Sequence, residues 1–323
     1  MKFFRLRRRK LHRFIYLITG INLFIVLLVI YHEKIFNQID VIQIPINDEL
    51  CKFIPFNISS KSLNLKNLTL SQVEGELSYL SLRNGGKWSP LEENTKKSRV
   101  AIIVPYRNRR KNFHIFLLYM HKFLTNQNID YGIFIVEPLE YLTFNRALLI
   151  NIGYLEALKE DRKWDCFIFH DVDMLPENSK NIYECDPLVP KQMAVAINTY
   201  SYSTDGYFKE KYFGGINAFT KDQFKKINGF SNSYYGWGIE DDDARNRVLE
   251  HFSRIARLPP DVGRYFANCH EKQEKNPYRF MLYMTAASRM STDGLNSIKY
   301  KLIKTEKNKL FTRFYVKYKN VKH

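Results

Sequence analysis

Cys166-Phe-Ile-Phe-His-Asp-Val-Asp173 joins a short apolar run to two acids that stand one residue apart. The run Cys166–Phe169 has the length and composition of a buried β-strand, and the acids follow its carboxyl end. Because alternate residues of an extended chain point to the same side, Asp171 and Asp173 can reach one ligand together. Such a pair suits a hard divalent cation, which can bridge the phosphates of a nucleotide sugar. Asp-x-Asp also arises by chance, so its significance comes from its position after a strand.

Apolar runs and helical patterns alternate upstream of this strand. The runs Val100–Val104 and Tyr131–Val136 are short and apolar, as is typical of buried strands. Apolar residues at helical spacing follow each run, around Phe113–Leu124 and at Asn145–Lys159. This alternation predicts an α/β fold with a largely parallel sheet. Ligands of such sheets bind at the carboxyl ends of the strands, which is where the two acids stand.

Basic and aromatic residues follow the first strand and open the second helical pattern. Pro105-Tyr-Arg-Asn-Arg109 offers guanidinium groups and a planar ring, which suit a base and a phosphate. A surface loop with ordinary salt bridges is the alternative interpretation. Phe144-Asn-Arg146 stands where the helix opens. There Arg146 can contact a phosphate or a sugar, or it can pair with a neighbouring residue.

A run of four acids follows a tryptophan that lies between two glycines, in Tyr235-Gly-Trp-Gly-Ile-Glu-Asp-Asp-Asp243. The Trp237 ring can stack on a sugar face, and the flanking glycines give the backbone freedom to move it. Adjacent carboxylates repel one another, whereas a site that binds hydroxyls and removes a proton can use them. The alternative is a solvated acidic turn, or a helix start with acids at its positive end.

The N-terminus has the pattern of a membrane anchor. Residues 1–13 include seven Lys or Arg, and the apolar run Phe14–Tyr31 follows. As a helix, this run would rise about 27 Å, close to the thickness of the bilayer core. We therefore predict a cytoplasmic tail at 1–13, a transmembrane signal anchor at 14–32, a lumenal stem at 33–84 and a lumenal catalytic domain at 85–323. A cleaved signal peptide is the alternative.

The net charge of +17 is concentrated at the two ends of the chain. Residues 1–34 contribute +7 and residues 299–323 contribute +8, which leaves +2 (17 − 7 − 8) for everything between them. A nucleic-acid groove would need basic residues within the folded domain, so we expect no nucleic-acid partner. The C-terminal charge forms a solvated face, or it meets anionic glycans or lipid head groups.

Glycosylation sequons and cysteines are consistent with a lumenal location. Sequons begin at Asn57 and Asn67, ahead of the predicted domain, although such triplets are also common by chance. In an oxidising lumen some of the four cysteines should pair. Their spacing is unlike that of a zinc site. The cysteines are Cys51, Cys166, Cys185 and Cys269.

From about Gly85 to Tyr318 the chain resembles the β-1,4-galactosyltransferases, glycosyltransferase family 7, through several ordered motifs. This resemblance implies a GT-A (Rossmann-like) nucleotide-sugar-binding domain in an inverting enzyme of the Golgi membrane. It also implies single-pass type II topology with the catalytic domain in the lumen. The matching motifs begin at Gly85 (Gly-Gly-Lys-Trp-Ser-Pro), Val104 (Val-Pro-Tyr-Arg-Asn-Arg), Phe144 (Phe-Asn-Arg-Ala), Asp171 (Asp-Val-Asp), Tyr212 (Tyr-Phe-Gly-Gly), Gly236 (Gly-Trp-Gly-Ile-Glu-Asp-Asp-Asp) and Asp293 (Asp-Gly-Leu-Asn-Ser).

The resemblance implies a role for each matching site residue. Asp241 would be the catalytic base, and Glu240 and Asp242 would bind acceptor hydroxyls beside Gly238. Crowding of the acids would raise the pKa of at least one carboxyl group and make it a better base. The residues expected to bind the donor nucleotide sugar are Pro105, Arg107, Arg109, Phe144, Arg146, Asp171, Val172, Tyr212 and Trp237.

Metal binding departs from the family pattern, although the resemblance implies Mn²⁺ as cofactor. Asp173 and His270 match two of its usual ligands, but Ala267 stands where a methionine is expected, and a methyl group cannot bind metal. The third ligand is therefore left open between Asn268, Cys269 and water. Cys166 and Cys185 match the spacing of a family disulfide.

We expect the activity to be transfer of galactose from UDP-galactose to a glycan acceptor that ends in β-linked N-acetylglucosamine, giving a β-1,4 linkage. By the same resemblance, Tyr212 would crowd the donor 2-position, which favours galactose over N-acetylgalactosamine. Two alternatives stay open. One is a UDP-N-acetylgalactosamine-using transferase of the same family, and the other is a catalytically weak glycan-binding homologue.

Overall fold

The computed structural model describes residues 65–90, 98–268 and 273–319. All of them belong to one compact unit of the chain, 46–323. Within these ranges no helix is both long and apolar enough to cross a membrane. The predicted anchor at 14–32, the sequon at Asn57 and the expected metal ligand His270 lie outside the described residues.

The described residues form twelve β-strands and eight α-helices, together with short 3-10 turns at Leu65–Asn67, Ser78–Leu80 and Asn198–Tyr200. The strands are β1 Lys87–Trp88, β2 Arg99–Pro105, β3 Asp130–Pro138, β4 Cys166–His170, β5 Met174–Pro176, β6 Lys191–Gln192, β7 Ala196–Ile197, β8 Ile216–Thr220, β9 Ala256–Arg257, β10 Arg264–Ala267, β11 Tyr300–Lys307 and β12 Thr312–Tyr318. The helices are α1 Leu70–Glu76, α2 Arg110–Asn126, α3 Arg146–Glu160, α4 Tyr207–Glu210, α5 Lys221–Lys226, α6 Glu240–His251, α7 Arg279–Met284 and α8 Ala286–Arg289.

A large mixed sheet organises the fold, in the order β11-β12-β3-β2-β4-β8-β6-β9, with β1 paired to β3. The four central strands β12, β3, β2 and β4 run parallel. The parallel strands predicted from the apolar runs are therefore present at the centre of the sheet. Antiparallel pairs flank them, with β11 on β12, β8 on β4 and β6 on β8, and β9 pairs in parallel with β6 at the edge. The sheet is mixed, and the prediction of a largely parallel sheet holds for its central strands.

Both faces of the central strands are buried, as expected for a parallel sheet covered by helices. Val100, Ile102 and Val104 of β2 face one core cluster together with α2. Ala101 and Ile103 face the second cluster together with α3. Because successive side chains of a strand point to opposite sides, a continuous apolar run serves both cores.

Residues ahead of β1 pack on the same domain. Leu68, Val73 and Leu77 are buried in the core cluster that includes α2. The His114 ring nitrogen Nδ1 lies 2.6 Å from the Leu68 carbonyl oxygen and bonds the segment to α2. The packed unit therefore extends at least as far towards the N-terminus as Leu68. The neighbouring sequon residue Asn67 is exposed.

A disulfide and a small second sheet shape the region after β4. Cys166 and Cys185 are joined, which closes a loop with a sequence separation of 19 around the Asp171–Asp173 turn. The small sheet has the order β5-β10-β7, and Ala267 of β10 stands opposite Met174 of β5. The Asn268 amide donates to the Asp173 carbonyl oxygen at 2.7 Å. The sheet thus brings the end of β10 beside the Asp-Val-Asp turn.

Candidate active site

Five segments meet at the carboxyl edge of the central sheet. They are the ends of β2 and β4, the start of α3, the Tyr212–Gly215 loop and the start of α6. A hydrogen bond links α3 to the turn after β4, and close packing links the loop to Asp241 of α6. The donor-side and acceptor-side residues predicted from the sequence are therefore assembled on one edge, as parallel-sheet topology requires.

Arg146 is the central cation of this edge. Asn145 caps α3 through its side-chain oxygen, which accepts from the Leu148 amide at 2.9 Å, so Arg146 stands in the first turn. The Arg146 Nε donates to Asp171 Oδ1 at 2.6 Å, and Nη2 donates to the Gly215 carbonyl at 3.1 Å. Its third nitrogen, Nη1, is buried and has no hydrogen-bond partner among the described residues. A buried free donor of this kind suits an anionic ligand.

The loop after β2 places a second guanidinium near the same edge. Arg107 donates to the Leu142 carbonyl, and its guanidinium carbon lies 5.0 Å from the centre of the Phe144 ring. Burial lowers the pKa of Arg107. Pro105 ends β2, and Arg109 stands at the position before α2. Arg107 and Phe144, which the sequence analysis assigned separately to the donor site, are therefore in contact.

Trp237 stands in a turn whose backbone needs glycine on both sides. Gly236 has φ 88° and Gly238 has φ 117°, values that side-chain-bearing residues rarely adopt. The Trp237 amide donates to the Glu274 carbonyl at 2.9 Å, and the Trp237 carbonyl accepts from the Asn276 amide at 3.0 Å. The backbone is thus tied down on both sides while the side chain is 46% exposed. The indole is therefore exposed enough to pack on a ligand, with the Lys275 ammonium 5.8 Å from the ring centre.

The first three acids of the run share one environment at the start of α6. Burial, followed by the negative charge of Asp241, raises the pKa of both Glu240 and Asp242 to about 7. Burial also raises the pKa of Asp241, although Arg146 opposes the rise. The crowding effect predicted from the sequence is therefore present. Carboxyl groups poised near neutral pH are suited to proton transfer.

The fourth acid has a different place. Asp243 is completely buried and accepts from Arg247 Nε at 2.8 Å and from the Tyr234 hydroxyl at 2.9 Å. Its carboxylate is held in the core by these two donors. Of the four acids that the sequence offers, three belong to the candidate site and one belongs to the core.

The glycines of the Tyr212–Gly215 loop allow close packing against Asp241. A Cβ atom placed on Gly214 would lie 2.5 Å from Asp241 Oδ2 and 3.0 Å from the Tyr212 hydroxyl. The other oxygen, Asp241 Oδ1, accepts from the Asp242 amide at 3.0 Å. The Asp241 carboxylate is thus fixed through one oxygen, while the other faces the loop beside Tyr212.

Asp173 is the described residue best placed to bind a metal ion. It is partly buried and contributes negative charge beside Asp171, whose pKa burial raises despite Arg146. Among the described residues no group of three or more His, Cys, Asp and Glu could hold a metal. However, Asn268 contacts Asp173, and His270 follows two residues later in the part of the chain outside the described residues. The surplus of carboxylates over cations at this edge fits a divalent cation.

Ala267 and Val172 are buried next to this turn. Ala267 is 7% exposed and Val172 is 6% exposed. The sulfur of Met174, which stands opposite Ala267, would lie 2.7 Å from a Cβ placed on Gly215. The Met174 thioether of β5 therefore packs closely against Gly215.

Two residues that the sequence analysis passed over also shape the site. The Tyr207 hydroxyl donates to Asp242 Oδ1 at 2.8 Å. The Gln192 side-chain amide donates to the Gly214 carbonyl at 2.9 Å and so helps to hold the Tyr212–Gly215 loop in place. Neither residue stands in a recognisable motif. Gln192 reaches the site because β6 pairs with β8, and Tyr207 reaches it because the segment before Tyr212 folds back on α6.

Two family models cover most of this region. Residues 51–186 match the model described as the N-terminal region of glycosyl transferase group 7. Residues 191–271 match the model described as the N-terminal domain of galactosyltransferase.

Curated relatives match most of the chain. β-1,4-Galactosyltransferase 4 of Cricetulus griseus is 44% identical over 260 residues, which cover 80% of this chain and 73% of the relative. The Homo sapiens protein of the same name is 44% identical over 255 residues, or 78% of this chain and 72% of the relative. β-1,4-Galactosyltransferase 3 of Rattus norvegicus is 43% identical over 234 residues, or 72% of this chain and 58% of the relative.

Solved structures resemble the fold. The catalytic domain of Drosophila β-1,4-galactosyltransferase 7 in complex with xylobiose superposes with a TM-score of 0.58 at 26% identity, over 68% of this chain and 94% of that one. A mutant of that protein in complex with manganese, UDP-Gal and xylobiose gives a TM-score of 0.57 at 27% identity, with the same coverage.

Proposed function

The chain belongs to the β-1,4-galactosyltransferase family, and we propose that it transfers galactose from UDP-galactose to a glycan acceptor ending in β-linked N-acetylglucosamine. The product would carry a β-1,4 linkage with inverted configuration at the anomeric carbon. The relatives named above support the reaction type. The neighbour that contains UDP-Gal and xylobiose supports a sugar-nucleotide donor and a glycan acceptor.

The observation that carries the proposal is the setting of Asp241. Its Oδ1 is held by the Asp242 amide, and its Oδ2 faces the Tyr212–Gly215 loop. Burial raises its pKa, so it takes a proton more readily than an ordinary aspartate. In the proposed reaction the acceptor hydroxyl oxygen bonds to the anomeric carbon and gives its proton to Asp241. The bond from that carbon to the diphosphate oxygen breaks, and UDP leaves.

Donor binding would depend on the two guanidinium groups at the sheet edge. Arg146 has a buried free Nη1 beside its ion pair with Asp171, and a phosphate oxygen would satisfy that donor. Arg107, beside the Phe144 ring, would meet the uridine side. Pro105, Arg109 and Val172 would line the same pocket. Trp237 would cover the sugar from the other side.

Mn²⁺ is the proposed cofactor, with Asp173 and His270 as protein ligands. When bound, the ion would neutralise negative charge on the leaving diphosphate. Asp173 lies near Asp171, whose charge is opposed by Arg146. The same guanidinium also interacts with Glu240 and Asp241, so negative charge is in excess at this edge and favours a bound cation. Ala267 supplies no ligand atom, so donor phosphate oxygens and water would complete the set.

Tyr212 supports galactose as the transferred sugar. Its side chain is 9% exposed, and its hydroxyl lies over the two glycines, 3.0 Å from a Cβ on Gly214 and 3.4 Å from one on Gly215. A bulky ring here leaves little room for an N-acetyl group at the donor 2-position. Tyr212→Leu should therefore increase the use of UDP-N-acetylgalactosamine relative to UDP-galactose.

The location proposed for the chain is the Golgi membrane, with a single-pass anchor at 14–32 and a lumenal catalytic domain. The basic and apolar segments at the N-terminus support this topology. The Cys166–Cys185 disulfide supports an oxidising compartment.

The deciding experiment measures UDP release by the full-length chain with an N-acetylglucosamine β-glycoside, with and without Mn²⁺. We expect turnover with UDP-galactose that requires the metal and exceeds turnover with UDP-N-acetylgalactosamine. Preference for the acetylated donor would overturn the assignment of galactose. Background rates with every donor would instead indicate a glycan-binding homologue, an alternative that Ala267 in the metal region favours.

A further inference from the structure

Tyr207 bonds directly to one of the acids at the start of α6. Its hydroxyl donates to Asp242 Oδ1 at 2.8 Å, and both side chains are partly buried. A hydrogen bond to a charged acceptor is among the stronger bonds in proteins. The bond therefore fixes one oxygen of Asp242 and leaves Oδ2 for another donor.

An aromatic cluster holds Tyr207 in this position. Its ring meets the Tyr212 ring edge-on, with centroids 6.2 Å apart, and meets the Phe208 ring at 5.7 Å. The Tyr212 amide also donates to the Tyr207 carbonyl at 2.9 Å. Tyr207 therefore lies between the acceptor-side acid Asp242 and the donor-side residue Tyr212.

Two arginines fasten the same segment to the body of the domain. Arg257 donates to the Glu210 carbonyl at 2.9 Å and to the Tyr212 carbonyl at 2.8 Å. Arg245 of α6 donates to the Glu210 carbonyl at 3.3 Å. These bonds hold the backbone independently of the Tyr207 hydroxyl, so removing that hydroxyl should leave the segment in place.

We propose that Tyr207 is a positioning residue for the acceptor sugar, because it orients Asp242 so that one carboxylate oxygen receives one sugar hydroxyl. The inference rests on the proposed function in one respect, namely that the acceptor meets Asp242. Its consequence is a specificity rule. An acceptor that lacks the hydroxyl bound by Asp242 leaves a buried, oriented carboxylate oxygen unpaired, and such acceptors are rejected strongly.

The Tyr207 hydroxyl also affects the pKa of Asp242, together with the charges around that acid. Asp241 faces Asp242 and favours its protonated form, whereas Arg245 and Lys211 favour the carboxylate. The Tyr207 hydrogen bond also favours the carboxylate. Loss of the hydroxyl should therefore raise the pKa of Asp242, and acceptor binding should need a higher pH.

The test compares wild-type full-length chain with Tyr207→Phe. We expect the KM for the acceptor to rise about tenfold or more, as for loss of a bond to a charged group. The KM for UDP-galactose should stay within about twofold of wild type, and the acidic limb of kcat/KM for the acceptor should move to higher pH. Tyr202→Phe is the matched control, because the Tyr202 hydroxyl also donates to a carboxylate, Glu177 Oε1 at 3.1 Å, away from the acids.

Direct binding separates this inference from the proposed function. Calorimetry with an N-acetylglucosamine β-glycoside in the presence of UDP and Mn²⁺ should show weaker binding to Tyr207→Phe than to Tyr202→Phe, even if no transfer occurs. Equal acceptor affinity and equal pH profiles in the two variants would overturn the role of Tyr207. Absence of transfer with this difference in binding intact would overturn the galactosyltransferase assignment alone.

Discussion

Two aspartate–arginine pairs of similar length perform opposite tasks in this protein. Arg146 Nε and Asp171 Oδ1 are 2.6 Å apart at the sheet edge, where the side chains are 13% and 28% exposed. Arg247 Nε and Asp243 Oδ1 are 2.8 Å apart in the core, where both side chains are fully buried. The pair in the core has further partners of both charges, since Arg289 lies 4.0 Å from Asp243 and Asp293 lies 3.9 Å from Arg247, whereas the pair at the edge is surrounded by further acids.

The surroundings explain the difference. Asp243 has a second donor in the Tyr234 hydroxyl, and the remaining nitrogen of Arg247, Nη2, faces Asp293 at 3.9 Å. Asp171 instead lies near Asp173 and Asp241, and burial together with these charges raises its pKa although Arg146 opposes the rise. The core pair balances its charge within the protein. The edge pair leaves negative charge for a ligand to neutralise, which is how sites give up stability for function.

Replacing the proposed base should give the largest effect on rate. It should also distinguish the sheet edge, where a substitution lowers activity, from the core, where a substitution lowers stability. We expect Asp241→Asn to lower kcat by roughly 10²–10⁴-fold, because a positioned base contributes about that much. Stability should not fall, because a buried negative charge is removed. Single-turnover kinetics with UDP-galactose and a urea titration would check both parts. Retention of more than about a tenth of wild-type turnover would exclude Asp241 as the base.

Breaking the core pair should have the reverse effect. Arg247→Met leaves Asp243 buried without its cation, and loss of one partner of a buried pair costs about 3–5 kcal/mol. The free energy of unfolding from urea titration measures this loss. Lys307→Met is the control, because in its pair with Glu160 the lysine is 48% and the acid 14% exposed, and pairs at the surface contribute about 0–1 kcal/mol. Equal effects of the two substitutions would contradict the assignment of Arg247 to the core.

Adding one methyl group to the glycine loop tests the site without altering a charge. Gly214→Ala places a Cβ 2.5 Å from Asp241 Oδ2, so the carboxylate must move. A displacement of about 1 Å at a reacting group can lower the rate about 10²-fold. Gly75→Ala is the control, because a Cβ there meets nothing within 4 Å. Unchanged turnover of Gly214→Ala would show that Asp241 Oδ2 takes no part in the reaction.

The last comparison concerns the slope of stability against pH. Glu240 and Asp242 have pKa values near 7 in the folded protein, above their ordinary values of 4.5 and 3.8. Between about pH 4 and pH 7 the folded state therefore holds more protons than the unfolded state, and the free energy of unfolding falls as pH rises. Each extra proton contributes up to about 1.4 kcal/mol per pH unit. The double variant Glu240→Gln/Asp242→Asn should flatten this slope, and an unchanged slope would contradict the shifted pKa values.

The sequence was sufficient for the centre of the fold and for the acids. Continuous apolar runs predicted β2, β3 and β4, and the helical spacing predicted α2 and α3, because these elements bury their residues regardless of distant partners. The strands towards both edges of the sheet were missed. The antiparallel strand β8 directly follows the Tyr212–Gly215 motif, and the parallel strand β12 pairs with β3 through a contact between residues far apart in sequence.

Side-chain partners were predicted less well than positions. Nothing in four consecutive acids says that Asp243 turns inward to Arg247 while Asp241 faces the cleft. The helical period decides that, together with the αL conformation of Ile239, with φ 71°, which sets where α6 begins. The hydrogen bond between Tyr207 and Asp242 could not be predicted from the sequence either, because it depends on how a segment without periodicity folds back on α6.

The place of β12 beside β3 has a consequence for how the chain is made. During synthesis β3 emerges early and pairs with β2 at one edge and with β1, at Tyr131 and Gly132, beside the other. The segment from Phe134 to Pro138 is paired on its second edge only when Thr312–Tyr318 arrives. Until then this apolar segment has unpaired amides and carbonyls, which are a hazard for association between nascent chains. The central sheet of this domain therefore cannot be completed until its C-terminal strand has been translated. We expect nascent chains stalled before residue 312 to bind chaperones more than chains stalled at residue 319.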